Sequence, residues 1–311
     1  MEQKKFKILV ADNMAQEGID ILKNHKNFEV DVKTKHTQDE LKAIVEPYDA
    51  VIIRSATKMT AEIIEAAKNL KVIARAGTGY DNIDINACNK RGIVALITPV
   101  GNSNAVAELT VGLMLDFARN IAKANALMGQ GVWEKKKLEG TELRGKTVGI
   151  VGVGRIGAAV AKRCKAFEMN IIGYDKFIPK ARAEQLGVKI IDSFEDFIAQ
   201  ADYITLHIPL TEETRNLFDK AKFEKMKPNS VLINVARGEV INEKDLYEAL
   251  CEKKIGGACI DVYSKEPANK EQFPFIGLDN VIATPHLGAS TQEAQIDVAK
   301  MAAEHVVQAL Q

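Results

Sequence analysis

Thr147-Val148-Gly149-Ile150-Val151-Gly152-Val153-Gly154-Arg155-Ile156-Gly157 is the stretch that decides the fold. Its first five residues are a short, apolar, largely β-branched run of the kind that fills a buried strand. GxGxxG follows without a spacer, and Ala158-Ala159-Val160-Ala161 continues as a helix former. Strand, glycine turn and helix start in that order make a phosphate cradle. Gly152 permits the tight turn, Gly154 lets backbone approach a pyrophosphate, and Gly157 lets the helix pack close on the sheet. Arg155 and Ile156 open the helix, where free N–H groups and the positive helix end face an anion. Glycines needed only for turn and packing would give the same pattern, but they would not require Asp175. That residue ends the next apolar run, at about the 20-residue spacing where a carboxylate accepts hydrogen bonds from ribose hydroxyls. A 2′-phosphate would be repelled there, so the cradle reads as a site for NAD rather than NADP, with the neighbouring Lys176 as the counter-argument. FAD and S-adenosylmethionine also bind such loops, so the motif specifies a nucleotide and no reaction.

Outward from this unit, short apolar runs alternate with helical patterns in both directions. They include Ile8-Leu9-Val10, Ala50 to Ile53, Lys71 to Ala74, Ile93 to Ile97, Asn170 to Tyr174, Tyr203 to Leu206, Val231 to Val235 and Gly257 to Ile260. Such alternation is the signature of βαβ units, and the number of runs predicts an α/β protein with two doubly wound parallel-sheet domains. Between the early and late runs, Val106, Leu109, Leu113, Phe117 and Ile121 draw one apolar stripe and predict a single long helix from Asn102 to about Gly129. Trp133-Glu134-Lys135-Lys136-Lys137 then reads as an exposed basic loop. Ser290 to Gln311 is helical by composition and is expected to fold back onto the first domain.

Among 311 residues, 42 acidic side chains balance 42 basic ones, so no net field holds a nucleic acid or a membrane surface. An anionic ligand must be caught by a local cluster. Cys88, Cys164, Cys251 and Cys259 match neither a metal knuckle nor a compact disulfide framework and read as buried free thiols, and no metal is expected. The opening Met1-Glu2-Gln3-Lys4-Lys5 leads into an apolar run too short for a signal peptide or a span, which makes the cytoplasm the expected location.

Three polar residues stand at or just past late strands: Arg237 in Asn234-Val235-Ala236-Arg237-Gly238, Glu266 in Asp261-Val262-Tyr263-Ser264-Lys265-Glu266-Pro267, and His286 in Thr284-Pro285-His286-Leu287-Gly288. Ligands of open α/β sheets bind at that edge. Taking a hydride from a secondary alcohol requires a base for the hydroxyl proton, which suits His286. Glu266 can set its tautomer and stabilise the imidazolium. Arg237 offers a planar fork to a substrate carboxylate. Singly, each has a plain alternative: a capping histidine, a surface glutamate, an arginine in a turn.

Together the order of Gly152–Gly157, Asn234–Gly238, Asp261–Pro267 and Thr284–Ser290 resembles the D-2-hydroxyacid dehydrogenases, over nearly the whole chain. The resemblance implies that Arg237, Glu266 and His286 are substrate arginine, partner glutamate and catalytic histidine. It also implies cofactor contacts at His207, Pro209, Val235, Ala236 and Asp261, and a homodimer or homotetramer. The implied fold is a Rossmann NAD domain, residues 101–287, inserted into a flavodoxin-like substrate domain formed by residues 1–100 and 288–311. His207 follows a strand and is read as cofactor wall; a plain strand-end histidine fits as well.

Arg54-Ser55-Ala56-Thr57 and Arg75-Ala76-Gly77-Thr78-Gly79, with Asn102-Ser103 and the loop at Lys135, look like the phosphoglycerate dehydrogenase branch. Two arginines leaving the ends of two strands can converge on a phosphate, Lys135 can complete the cluster in its own or a partner subunit, and Gly77 can bring backbone N–H groups to a carboxylate. The reaction implied is NAD-dependent oxidation of 3-phospho-D-glycerate to 3-phosphohydroxypyruvate, the first step of serine biosynthesis. Many relatives carry further regulatory domains; with the chain stopping at Gln311, feedback through one is not expected. Glyoxylate or hydroxypyruvate reductases share much of the pattern. NADH-sensing corepressor proteins on this scaffold also keep the catalytic trio, but have no need of Arg54 and Arg75.

Overall fold

The computed structural model describes residues 5–311, so Met1 to Lys4, read above as part of a leaderless start, lie outside the described residues. The strands are β1 (Phe6–Val10), β2 (Phe28–Val32), β3 (Ala50–Ile53), β4 (Val72–Arg75), β5 (Val94–Ile97), β6 (Thr147–Val151), β7 (Asn170–Tyr174), β8 (Lys189–Ile190), β9 (Tyr203–Leu206), β10 (Val231–Asn234), β11 (Gly257–Ile260) and β12 (Val281–Ala283). The helices are α1 (Gln16–Lys23), α2 (Gln38–Ile44), α3 (Ala61–Ala66), α4 (Ile85–Arg91), α5 (Ser103–Arg119), α6 (Ile121–Gly129), α7 (Arg155–Ala166), α8 (Lys180–Gln185), α9 (Phe194–Gln200), α10 (Lys220–Phe223), α11 (Glu243–Cys251) and α12 (Gln292–Ala309). Two compact units result: the first runs to Asn102 and resumes at Ala289, and the second is Ser103–Gly288.

The first unit holds a five-stranded parallel sheet in the order β2-β1-β3-β4-β5, the flavodoxin order. Alternate residues of its strands feed two cores, as the period of two demands. Leu9, Val51, Ile53 and Ile73 meet Leu41, Ile63 and Cys88 on one face. Ile8, Val10, Ile52 and Ala74 meet Leu22, Val298, Ala302 and Val306 on the other. The returning helix α12 therefore belongs to this core, and a side chain at Gly18 would strike the Ala299 carbonyl, so α1 and α12 cross at close range.

The second unit holds a seven-stranded parallel sheet, β12-β11-β10-β9-β6-β7-β8. Counted from β6 this is the Rossmann order with one strand added. β9, β10 and β11 are buried along their whole length, because helices cover both faces of a parallel sheet. α5 and α7 close one face through Val106, Leu113, Met114, Val160 and Cys164. α9 and α11 close the other through Phe197 and Leu246.

Two sequence expectations are corrected. The stripe from Val106 to Ile121 does not lie on one helix: Asn120 adopts φ 55°, and α6 starts afresh with Asp116 accepting the Ala122 N–H at 2.7 Å. Phe117 packs over Gly257 and is the last residue of the stripe to be covered, whereas Ile121 is 55% exposed. Cys88, Cys164 and Cys259 are buried free thiols as expected, but Cys251 is exposed at the end of α11. β2, β8 and β12 are strands that the run-by-run reading passed over; each lies toward or at a sheet edge, where a continuous apolar run is not required.

Candidate active site

The glycine loop leaves β6 and enters α7, with β9 as the neighbour of β6 on one side and β7 on the other. Gly152 has φ +86°, and a side chain there would sit 2.6 Å from the His207 carbonyl oxygen. A Cβ at Gly157 would collide with the Gly152 carbonyl. Gly154 differs: a Cβ there meets nothing within 4 Å, and its φ is an ordinary −72°. No protein atom requires a glycine at that position, which fits the close approach of a ligand. Gly154 is also the N-cap of α7 and supplies no side-chain cap, so the N–H groups at the start of the helix, at Arg155 and Ile156, have no side-chain oxygen over them.

Beside the loop opens a cleft of about 740 Å³ lined by Val151, Gly152, Gly154, Asp175, Lys176, His207, Pro209 and Glu213, among others. Asp175 Oδ2 accepts the Val153 N–H at 2.8 Å, and Oδ1 accepts those of Phe177 and Ile178 at 2.8 and 3.0 Å. The carboxylate is thus held at the tip of β7 against the glycine loop. Lys176 pairs with Glu213 at 3.0 Å. His207 lies with Nε2 3.0 Å from Thr205 Oγ1 and lines the cleft, and burial pushes its pKa down to about 3.

At the ends of β10, β11 and β12 stand the three polar residues singled out from sequence. His286 Nδ1 lies 2.7 Å from Glu266 Oε2. The turn that presents the histidine is built by Asp261, which is fully buried at the end of β11. Asp261 Oδ1 accepts the Thr284 hydroxyl at 2.6 Å and the Leu287 N–H at 2.7 Å, and Oδ2 accepts the Gly288 N–H at 2.9 Å. Gripped on both sides, His286 takes φ 56°, a left-handed conformation that a non-glycine residue holds only under constraint. Burial raises the Asp261 pKa, and the three donors only partly offset it. Burial also raises that of Glu266, but the hydrogen bond and charge of His286, the Tyr263 N–H and the Arg237 charge prevail and hold it below the usual carboxylate range.

Arg237 is carried on a turn made by Asn234, whose Nδ2 donates to the Arg237 carbonyl at 2.8 Å and whose Oδ1 accepts the Ala236 N–H at 3.0 Å. Its Nη1 donates to the Ala236 carbonyl at 2.6 Å. A side chain at Gly238 would overlap the Tyr263 backbone, so the arginine loop and the Glu266 loop lie in contact. Val235 and Ala236 are buried, one in each of the two cores of this unit.

The substrate residues expected from sequence divide between the units. Register places Ile53 opposite Arg75, so Arg54 and Arg75 emerge at the same edge of neighbouring strands in the first unit. The Arg54 loop is anchored by Asp12, a residue sequence reasoning missed. Asp12 accepts the N–H groups of Arg54 and Thr57 at 2.6 and 3.1 Å and the Thr57 hydroxyl at 2.8 Å. Asn82, also missed, donates to the carbonyls of Arg54 and Thr57 at 2.6 Å each. An acid directly after the run Ile8 to Ala11 was the available signal for Asp12. Arg54 lines an open cleft of about 670 Å³ with Glu17, Gln292 and Gln295. Arg75 folds back to donate to the Gly79 carbonyl. A Cβ at Gly77 would come to 3.3 Å from the Arg75 guanidinium and meet no other residue, and Asn102 accepts the Thr78 hydroxyl. Lys135 belongs to the second unit, exposed at the start of a 3-10 turn (Lys135–Leu138) in which Lys137 pairs with Glu134 at 2.8 Å. Among the described residues, no group of three or more His, Cys, Asp or Glu is placed to hold a metal ion.

Comparison with known proteins agrees with this geometry. Residues 111–288 match the model of the D-isomer specific 2-hydroxyacid dehydrogenase NAD-binding domain. The chain is 50% identical over 302 residues to a D-3-phosphoglycerate dehydrogenase of Archaeoglobus fulgidus, covering 97% of this chain and 57% of that protein. The chain thus spans a little over half the length of that relative. It is 45% identical to a hydroxypyruvate reductase of Thermotoga maritima, with 94% of each chain covered. A Thermus thermophilus protein of known crystal structure superposes with a TM-score of 0.88 at 33% identity, over 98% of this chain and 97% of that one. With the glycine cradle, the Asp175 carboxylate and the His286–Glu266 pair along one sheet edge, and with more than half of the chain matching the family's NAD-binding domain, the chain belongs to the D-isomer specific 2-hydroxyacid dehydrogenases.

Proposed function

We propose that this chain oxidises 3-phospho-D-glycerate to 3-phosphohydroxypyruvate with NAD+, feeding serine synthesis. The observation that carries the dehydrogenase reading is the 2.7 Å contact between His286 Nδ1 and Glu266 Oε2. With Nδ1–H donated to the carboxylate, Nε2 keeps the lone pair and accepts the hydroxyl proton as the carbon–hydrogen bond breaks. NAD+ supplies the acceptor for the hydride. Glu266, held ionised, stabilises the imidazolium that forms. Arg237 receives the substrate carboxylate by its planar fork, and its charge opposes the negative charge on the reacting oxygen. Val235, Ala236 and Asp261 would hold the cofactor's reactive end, and the Gly152–Gly157 cradle would take its pyrophosphate.

The phosphate preference rests on Arg54 and Arg75 at neighbouring strand ends, on Gly77 and Asn102 nearby, and on the identity with phosphoglycerate dehydrogenases. Lys135 is proposed as an auxiliary cation, and a homodimer or homotetramer in the cytoplasm as the working form. Among the described residues no helix is long and apolar enough to cross a membrane. A second reading, reduction of the unphosphorylated hydroxypyruvate, is favoured by the 45% identity to the Thermotoga maritima relative.

NADH formation with 3-phospho-D-glycerate, D-glycerate and D-lactate, each with NAD+ and NADP+ and with the keto product trapped, separates the readings. Turnover confined to the phosphorylated acid, with Arg54→Ala raising its KM alone, is expected. Turnover of D-glycerate alone would keep the His286 chemistry and transfer the chain to the reductases. Silence on all three acids with NADH still bound would place it among nucleotide sensors.

A further inference from the structure

We infer that Glu213 is a cofactor-selectivity residue: it holds Lys176 in an ion pair at the cleft beside Asp175, and so withholds from a 2′-phosphate the cation best placed to receive it. The inference deepens the NAD reading and rests on it. Lys176 follows Asp175 directly and lines the same cleft as Glu212 and Glu213. Its ammonium lies 3.0 Å from Glu213 Oε2, joining the exit of β7 to the loop after β9.

Both ends of this strap are fixed. Asp175 binds the Phe177 and Ile178 N–H groups, which sets the turn carrying Lys176. On the other side, Thr211 and Thr214 exchange hydrogen bonds between hydroxyls and backbone N–H groups at 2.7 and 3.2 Å, and the Thr214 hydroxyl donates to the Pro209 carbonyl at 2.7 Å. Glu213 sits inside that turn and is presented without loop rearrangement. The charged groups facing the cleft are then Asp175, Glu212, Glu213 and Lys176, an acidic balance that opposes a phosphate of nearly two negative charges.

Two observations argue against an incidental surface pair. Lys176, the residue that in sequence argued for NADP, is the one engaged. Its partner comes from the opposite wall of the cleft, 37 residues away in sequence. A free lysine or arginine at this place is what accommodates a 2′-phosphate in dinucleotide folds. Neutralising Glu213 releases Lys176 while Asp175 remains, so selectivity should relax without inverting.

The test is equilibrium binding of adenosine 5′-phosphate and adenosine 2′,5′-bisphosphate, read as displacement of NADH fluorescence, on the intact protein and on Glu213→Gln, Lys176→Ala and the double variant. Both side chains are largely exposed, so folding is not at stake. Glu213→Gln is expected to shift the ratio of the two affinities toward the bisphosphate by up to about fivefold, the most that releasing Lys176 from an exposed ion pair can give. The gain should vanish in the double variant and shrink with added salt. An unchanged ratio in Glu213→Gln, or a gain that survives loss of Lys176, would overturn the assignment. If the unaltered protein bound neither NADH nor adenosine 5′-phosphate, the cofactor site itself would be wrong and the inference would fall with it.

Discussion

Glu266 and His286 meet at 2.7 Å through Oε2 and Nδ1, although 20 residues separate them and they leave different strands. On the proposed reading, the contact gives the two ring nitrogens different work, one oriented and one reactive. His286→Ala should lower kcat by about 10²–10⁴, the usual worth of a positioned general base. Glu266→Gln should cost less and should move the acid limb of the kcat/KM profile. NADH titration should give near-native affinity for both; loss of NADH binding would show that the pair serves the cofactor instead.

Asp261 supports the histidine turn with three hydrogen bonds and touches solvent nowhere. Asp261→Ala leaves the Thr284 hydroxyl and the Leu287 and Gly288 N–H groups without their acceptor, at about 1–3 kcal/mol for each one that stays buried. A drop in thermal stability together with loss of turnover is expected. Native turnover at lowered stability would separate the clamp from the chemistry.

The glycines of the cradle should separate by mechanism. Gly157→Ala forces a methyl onto the Gly152 carbonyl and should destabilise by about 1–3 kcal/mol or more. Gly154→Ala finds open space and should leave the melting temperature unchanged while weakening NADH by about tenfold or more, through lost backbone approach. Thermal unfolding and fluorescence titration of the two variants would show it; equal loss of stability in both would mean that Gly154 serves packing after all.

Asp202 makes stability depend on acid. Burial raises its pKa, but the Lys227 ammonium at 2.8 Å and the Thr147 N–H at 2.7 Å outweigh burial and hold it below the usual 3.8. A carboxylate whose folded pKa is depressed stabilises fully above its unfolded pKa, and the contribution is lost as pH falls through the folded value. As pH falls below about 5, through the unfolded pKa of about 3.9 and toward the lower folded value, the unaltered protein should therefore lose more stability than Asp202→Asn, by up to about 1 kcal/mol, the ceiling for a partly exposed pair. Denaturant unfolding at several pH values measures the difference, and parallel curves would remove Asp202 from the account.

Much of the site was legible because it is local. Gly152 to Gly157 is a strand, a turn and a helix start in one continuous segment, so its chemistry follows from residue order. Asp175 was found for the same reason, since one βαβ unit sets its distance from the loop. Arg237, Glu266 and His286 were found as strand-end residues, because the runs before them mark where a parallel sheet ends. The break at Asn120 escaped notice, because the apolar stripe continues past it while the backbone turns.

By itself, then, the amino-acid sequence determined the α/β class, the nucleotide cradle and the set of polar residues at the strand ends, all of which depend on spacing within one or two elements. Only the tertiary structure decided which of those residues touch. Strand order puts β9 beside β6 and brings His207 to the glycine loop. Asp261 grips Thr284, Leu287 and Gly288 on either side of the left-handed His286, and Asp12 reaches 45 residues ahead to hold Thr57, at the end of the Arg54 loop. These contacts depend on how neighbouring chains are registered and packed, which a one-dimensional pattern of apolar and polar residues does not encode.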